Sequence, residues 1–413
     1  MTKADLLELI ANGENSGVEF KRDDVRPEQL AKEIVALANL RGGKLLIGVE
    51  DDGRISGIQS KNLETWIMDT VFGHYVHPMI LPFYEEVDMG DGRRVAVISI
   101  APGTAKPYVL RRNGREDIYV RVGSVSKHAS REQQLALFGR SGLLHTESLP
   151  VSGTRFADLD EARLTDYLST IVGDDQLPNS QEAWERRLSG LGLMTAQEGG
   201  LVLCTIAGLV LFGRSPRRAL RHVGIRWMSF ASPEMDYQAQ DDTLLDGPLV
   251  PRTAATNGTA SDLELGLAER LFARMLPFIS TEAASINESL RKQRSFKFPL
   301  EALREAIVNA LVHRDWSRPA EIEVVNYLDR MEIKSPGPLQ NSMTVEKMLA
   351  GQRSPRNTTI VEVMRDYGYV DARGMGVRRK IVPLVHELSG QEARFEATDD
   401  YLRVTLPAAL KNR

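Results

Sequence analysis

Three sets of residues in this 413-residue chain have the types and spacing to do chemistry. The first is acidic. Glu14 and Glu19 lie in Glu14-Asn-Ser-Gly-Val-Glu19-Phe-Lys21, and Asp51-Asp52-Gly53 follows an apolar run. Carboxylates converging in one cleft make an all-oxygen site for magnesium or manganese. Such an ion polarises a phosphodiester and activates water, and Lys21 would neutralise a phosphate. The competing reading is architectural, because Asp52-Gly53 needs no chemistry to turn a chain. The second set is basic. Lys106, Arg111, Arg112, Arg115, Arg121, Lys127 and Arg131 stand against Glu116 and Asp117, a local net charge of +5, with Tyr108 and Tyr119 interleaved. Lys and Arg contact phosphates and tyrosine stacks on unpaired bases, although a solvated hairpin face would carry the same charges. In the third set Glu305, Asn309 and His313 recur every four residues and so share one helical face. An Asn between Glu and His on such a stripe can hold magnesium and a triphosphate, with Glu305 as general base on water. Alternatively, Asn309 simply bonds a neighbouring loop.

These residues depend on the elements beneath them. Leucine and isoleucine over 4–11 recur at helical spacing, and Val18-Glu-Phe-Lys21 alternates as a strand does. Pro27 opens a helix whose apolar face is Leu30, Ala31, Ile34, Val35 and Ala38, and Gly42-Gly43 ends it. Leu45 to Val49 reads as a buried strand, with Asp52-Gly53 turning into a return over 55–58. A hairpin around Gly90-Asp-Gly92 and strands near 107–110 and 118–122 complete a first domain, 1–145. Over 146–295, helices near 160–171 and 181–191 and a hairpin around Gly199-Gly200 have the order of a winged helix. A surface excursion is expected over 233–262, then a long amphipathic helix over 262–293, broken at Pro277, that could serve as an interface between copies. The third domain, 296–413, is expected to be an α/β sandwich with a helix over 299–313 bearing the Glu305 stripe. The fold class is α+β and multi-domain.

The first stretch resembles the Schlafen/AlbA-like domain. Its pattern is carried by Glu14, Val18-Glu19-Phe20-Lys21, Ala38-Asn39, Gly42-Gly43, Leu45 to Gly53, and Tyr119-Val-Arg121-Val-Gly123-Ser124. The resemblance implies nucleic-acid association. In nuclease members the Glu-x4-Glu pair and a following Asp bind metal, which here would be Glu14, Glu19 and Asp51 or Asp52. Over 296–408 the chain is similar to the GHKL ATPase fold, in its divergent RecG-helicase-like branch. The matching motifs are Arg304 to Asp315, Ser335-Pro336-Gly337, Arg356-Asn357, and Gly374-Met-Gly376-Val-Arg378-Arg379. That likeness implies ATP held by Asn309, His313, Arg314, Gly337, Arg356, Asn357, Gly374, Gly376 and Arg378, with magnesium on Asn309 and Glu305 as the hydrolytic base. The adenine-contacting Asp-x-Gly-x-Gly of that fold is replaced by Lys334-Ser335-Pro336-Gly337-Pro338. No Gly-x4-Gly-Lys-Ser/Thr loop occurs, so the motifs do not support a helicase.

Composition bounds the rest. Apolar residues make up 42% and charged residues 26%, ordinary for a soluble chain, and the net charge of −4 leaves nucleic-acid binding to a local basic patch. The single cysteine, Cys204, rules out an intrachain disulfide framework and fits a cytoplasmic protein. No membrane partner is expected. The expectation is a nucleic-acid-binding, nucleotide-responsive protein resembling a transcriptional regulator, assembling with copies of itself and acting on DNA or RNA. The alternative is a metal-dependent nuclease of the Schlafen type, acting on tRNA or foreign nucleic acid under control of the ATP-binding domain.

Overall fold

A strand buried on both faces needs apolar residues at every position, and Leu45-Leu46-Ile47 supplies them. In the computed structural model, these residues lie in a central strand of a four-stranded sheet. The model describes residues 1–103, 105–141, 145–256, 259–286, 292–340, 343–371 and 374–409. The chain divides into two compact units, Met1–Leu144 and His145–Arg413.

In the first unit the elements are helix α1 (Lys3–Ala11), strand β1 (Val18–Lys21), helix α2 (Pro27–Asn39), and strands β2 (Gly43–Ile47), β3 (Phe83–Asp88) and β4 (Arg94–Ile100). The sheet order is β1-β2-β4-β3, with β1 parallel to β2 and the other pairs antiparallel. Alternation sends Leu45, Ile47, Ala96 and Ile98 against Leu30, Ile34 and Leu37 of α2. It sends Phe20, Leu46, Val95 and Val97 to the other face, against Leu6 of α1. Gly42 is required by close approach: its φ is +77°, and a Cβ there would stand 2.3 Å from the Ile100 carbonyl oxygen. The expected return after Asp52-Gly53 is a single bridge, Val49 to Ile55, rather than a strand pair. A separate hairpin pairs Tyr119–Val122 with Val125–His128.

The second unit has one continuous core running from Phe156 to Ala408, so the helices before residue 280 and the strands after 320 pack on the same side chains. Its six-stranded sheet contains β5 (Ile225–Ser229), β6 (Asp241–Leu245), β7 (Ile322–Asn326), β8 (Arg330–Pro336), β9 (Arg394–Ala397) and β10 (Tyr401–Pro407), in the order β6-β5-β7-β8-β10-β9. Only β5 and β7 run parallel. Helix α3 (Leu300–His313) buries Leu303, Ile307 and Leu311 in the core. Helices over 161–172 and 181–190 and the hairpin Met194–Ala196 with Val202–Cys204 keep the order read from the sequence.

Two expectations fail here. The long helix ends at Ile279, and Ser280–Ile286 pairs instead with Lys292–Phe296 in a hairpin. Pro277 removes a donor from the helix's last turn, and Ser280-Thr281 continues as a strand. The apolar stripe Leu267, Leu271, Met275 and Ile279 is fully covered by the core, which leaves it unavailable as an interface between copies. Within the supposed surface excursion, Asp241–Leu245 is an edge strand held by Asp241, which accepts from the Trp227 indole at 2.9 Å and from Arg274 at 2.7 Å.

Candidate functional site

A helix turns by about 100° per residue, so positions four apart stack along one side. In α3 that side carries Glu305, Asn309 and His313, and all three line a cavity of about 300 Å³ in the second unit. This is the low end of the range for small-molecule sites. Ile333 of β8, Phe395 of β9 and Leu402 and Val404 of β10 give the cavity apolar walls. Asn309 donates from Nδ2 to Oε1 of Glu305 at 3.1 Å.

The two glycines of Gly374-Met-Gly376 have separate reasons. A Cβ on Gly376 would fall 1.7 Å from Glu305 Oε1, so only glycine lets the backbone sit against that carboxylate. Gly374 has φ +58° and packs against the Arg353 side chain. Backbone following Gly376 enters a helical turn at Val377–Ile381, and Lys380 Nζ comes within 3.9 Å of Glu305 Oε2. His313 lines the cavity and is exposed there. Desolvation by the cavity walls, with the charge of Arg356 nearby, pulls its pKa below the usual histidine value, so the ring is neutral at pH 7.

Other residues expected to touch a nucleotide have internal duties, which corrects the sequence reading. The Arg314 side chain is fully buried. It donates to the carbonyls of His222 (3.1 Å), Arg318 (3.3 Å) and Ala320 (2.5 Å) and lies over the Trp316 ring. Asn357 is also fully buried, and its Nδ2 donates to the Val312 and Arg314 carbonyls at 2.8 and 2.9 Å, closing the C-terminal end of α3. Arg356 lines the cavity, but its guanidinium pairs with Asp315 at 3.0 Å and donates to the Pro338 carbonyl. Gly337, at φ +101°, lies where a Cβ would stand 2.3 Å from Asp315 Cβ, so this glycine seats the loop against Asp315. Arg378 is exposed and does not line the cavity. Sequence reasoning missed Arg353, Arg365, Gln340 and Lys380. The first three line the cavity from loops and a helix that carry no period of their own.

The acids of the first unit share a neighbourhood but not a cleft. Glu14 Oε1 accepts from the Phe20 amide at 2.8 Å. Burial raises the Glu14 pKa, and the charges of Glu19 and Asp51 push the same way. Glu19 is buried, with Oε2 taken by Arg121 at 2.6 Å and Oε1 by Lys21. Asp51 is exposed on its turn. Among the described residues no group of three His, Cys, Asp or Glu could hold a metal ion. The donor set therefore does not fit the expected metal triad: its central carboxylate is already neutralised by two cations.

Arg121 is the hub of that network rather than a phosphate contact, a further correction. Its side chain has no exposure, and Nη1 also meets Glu33 Oε2 at 2.9 Å while Nη2 donates to the Asn15 carbonyl at 2.6 Å. Glu33, which Ser126 Oγ also contacts, was not anticipated. Tyr108 is buried, so it stacks on nothing in solvent. Lys106 donates to the Leu40 carbonyl and Arg111 pairs with Glu116 at 2.6 Å. Arg112, Arg115 and Lys127 are exposed.

Comparison with known proteins matches one stretch in each unit. Residues 14–130 match the family model described as "Schlafen, AlbA_2", and residues 319–406 match "Putative ATP-dependent DNA helicase recG C-terminal". The chain thus carries a Schlafen AlbA_2 domain and a RecG-type C-terminal ATPase-like domain. Among solved structures, the DIP2311 protein of Corynebacterium diphtheriae is 22% identical, with a TM-score of 0.44, over 98% of this chain and 80% of that one. The solution structure of the N-terminal domain of a "Putative ATP-dependent DNA Helicase RecG-related Protein" from Nitrosomonas europaea is 23% identical, with a TM-score of 0.25, over 31% of this chain and 92% of that one. No curated protein matches. Among the described residues no helix is long and apolar enough to cross a membrane.

Proposed function

We propose that the chain is a nucleic-acid-binding protein, of transcription-regulator type, whose second unit binds a nucleotide. The observation that carries this reading is the cavity against α3, where Glu305 and Asn309 are bonded to each other and Gly376 gives the backbone access to Glu305. A phosphate chain would lie beside these residues. Magnesium keeps most of its waters and takes one or two protein oxygens with phosphate oxygens, and the side-chain oxygen of Asn309 could supply one. Glu305 is then placed to take a proton from a water attacking the terminal phosphate. His313, neutral at pH 7, adds no charge. The wall formed by Ile333, Phe395, Leu402 and Val404 is apolar and would take the base, and Ser335 turns its hydroxyl to the Ala310 carbonyl at 3.1 Å.

Nucleotide occupancy would then bias nucleic-acid binding by the first unit, and self-association in the cytoplasm would couple copies. The nuclease reading ranks second, because Glu19 is committed to Arg121 and Lys21. Thermal unfolding with MgATP, MgADP and MgGTP tests the first reading. A rise in the transition of the wild type, absent in Asn309→Ala, is expected. No shift with any of the three removes the nucleotide from the proposal. Manganese-dependent cleavage of tRNA or DNA that disappears in Glu19→Gln would reverse the ranking.

A further inference from the structure

Most exposed histidines sample several rotamers. His128 does not have that freedom. It stands directly across the hairpin from Tyr119, the ring centroids are 4.3 Å apart, and the Tyr119 hydroxyl is hydrogen-bonded to His128 Nε2 at 3.1 Å. Tyr119 is itself half-buried, with Lys32 Nζ 5.7 Å from its ring centre. The hairpin is pinned below by the buried Arg121, so the outer ring is presented on a rigid base. Cations lie beside the pair: Lys32 over the Tyr119 ring, and exposed Arg112, whose charge reaches Tyr119, while alternation along the strand puts Lys127 on the hairpin's other face.

A fixed, exposed aromatic ring flanked by cations is the arrangement that binds single strands. The ring stacks on a base, which costs little ordering when the ring is already held, and the cations meet the phosphates on either side. Duplex DNA keeps its bases stacked on one another and offers no free base face. From this geometry we infer that the His128–Tyr119 pair is a stacking platform for an unpaired base, and that the first unit prefers single-stranded over duplex nucleic acid. The inference rests on the nucleic-acid reading above and narrows it to a substrate class.

The test is fluorescence anisotropy of the full chain with a labelled single-stranded 12-mer, as DNA and as RNA, and with the matching duplexes. The single strand should bind more tightly. His128→Ala should weaken single-strand binding roughly 5- to 160-fold, the range for losing one base–aromatic stack, and leave duplex binding nearly unchanged. His128→Trp should retain the affinity, whereas His128→Lys, which supplies charge without a ring, should not. A 2-aminopurine placed along the strand should be quenched by the wild type and not by His128→Ala. If His128→Lys binds as the wild type does, or if His128→Ala changes only thermal stability, the pair is a cross-strand contact and the platform is refuted, while nucleic-acid binding stands. Failure of the wild type to bind any of the four probes overturns both.

Discussion

Replacing Arg121 by methionine separates an architectural role from a ligand role. The guanidinium is fully buried between Glu19 and Glu33, whose side chains are 7% and 9% exposed. Breaking a buried ion pair by removing one partner costs about 3–5 kcal/mol, because the remaining charge is left without compensation. Here Lys21 stays on Glu19 and Ser126 on Glu33, which argues for the lower end, about 3 kcal/mol. Since 1.4 kcal/mol is a factor of ten, that corresponds to roughly 100-fold faster hydrogen exchange in the most protected amides of the first unit. Peptide-resolved exchange on the full chain reads β1, β2 and α2 directly, without requiring the two units to unfold together. Arg121→Met with Glu33→Gln should recover much of the loss, because Lys21 and Glu19 then remain as a neutral pair. Unchanged exchange in Arg121→Met combined with weaker nucleic-acid binding would falsify the hub and return Arg121 to the phosphate-binding set.

Four further outcomes are expected. Glu305→Gln should retain MgATP binding and lose any hydrolysis, measured as phosphate release, whereas Asn309→Ala should lose the thermal shift itself. Gly376→Ala should abolish nucleotide binding in a folded protein, because its new methyl must displace the Glu305 carboxylate; calorimetric titration beside a circular-dichroism melt checks both halves. Buried Glu147 accepts from the Thr359 and Ile360 amides at 2.9 and 3.0 Å at the start of the helix Thr358–Asp366, so Glu147→Ala should destabilise the second unit by about 1–3 kcal/mol in denaturant titrations. Desolvation at the cavity wall and the charge of Arg356 hold the folded His313 pKa below its ordinary value, so the unfolded chain takes up the proton first as pH falls. Its contribution is complete above the ordinary value and lost as pH falls from there through the folded one. His313→Gln should flatten that part of the stability profile, and an equally steep profile in the variant would assign the acid sensitivity elsewhere.

The parts legible in sequence are those with a period. Leu45-Leu46-Ile47 announces a strand buried on both faces, and the four-residue spacing of Glu305, Asn309 and His313 announces a shared face, because helix and strand geometry are local. What stayed hidden is non-local. Nothing near Arg121 says that Glu33, 88 positions away, will take its charge. The run 262–293 differs for a related reason: its apolar stripe stops at Ile279, two residues after Pro277, and what pairs Ser280–Ile286 with Lys292–Phe296 is strand register, which no helical period announces. A basic segment likewise cannot reveal which of its cations face inward. Of the seven, Arg121 is buried, Lys106 holds a backbone carbonyl and Arg111 holds Glu116.

The motifs that carry the C-terminal resemblance therefore contain two kinds of residue. Glu305, Asn309, His313, Gly374 and Gly376 face the cavity, whereas Arg314, Asn357 and the Asp315–Arg356 pair hold the end of α3 and the loop after β8 in place. Both kinds would be lost together if the end of α3 moved, since His313 is its last residue and Asn357 bonds the carbonyls on either side of it. The cavity's shape thus depends on contacts that never meet a ligand. A change such as Asn357→Ala should reduce nucleotide binding and second-unit stability in parallel, whereas Asn309→Ala should reduce binding alone. Measuring both quantities on both variants separates a residue that holds a ligand from one that holds the helix.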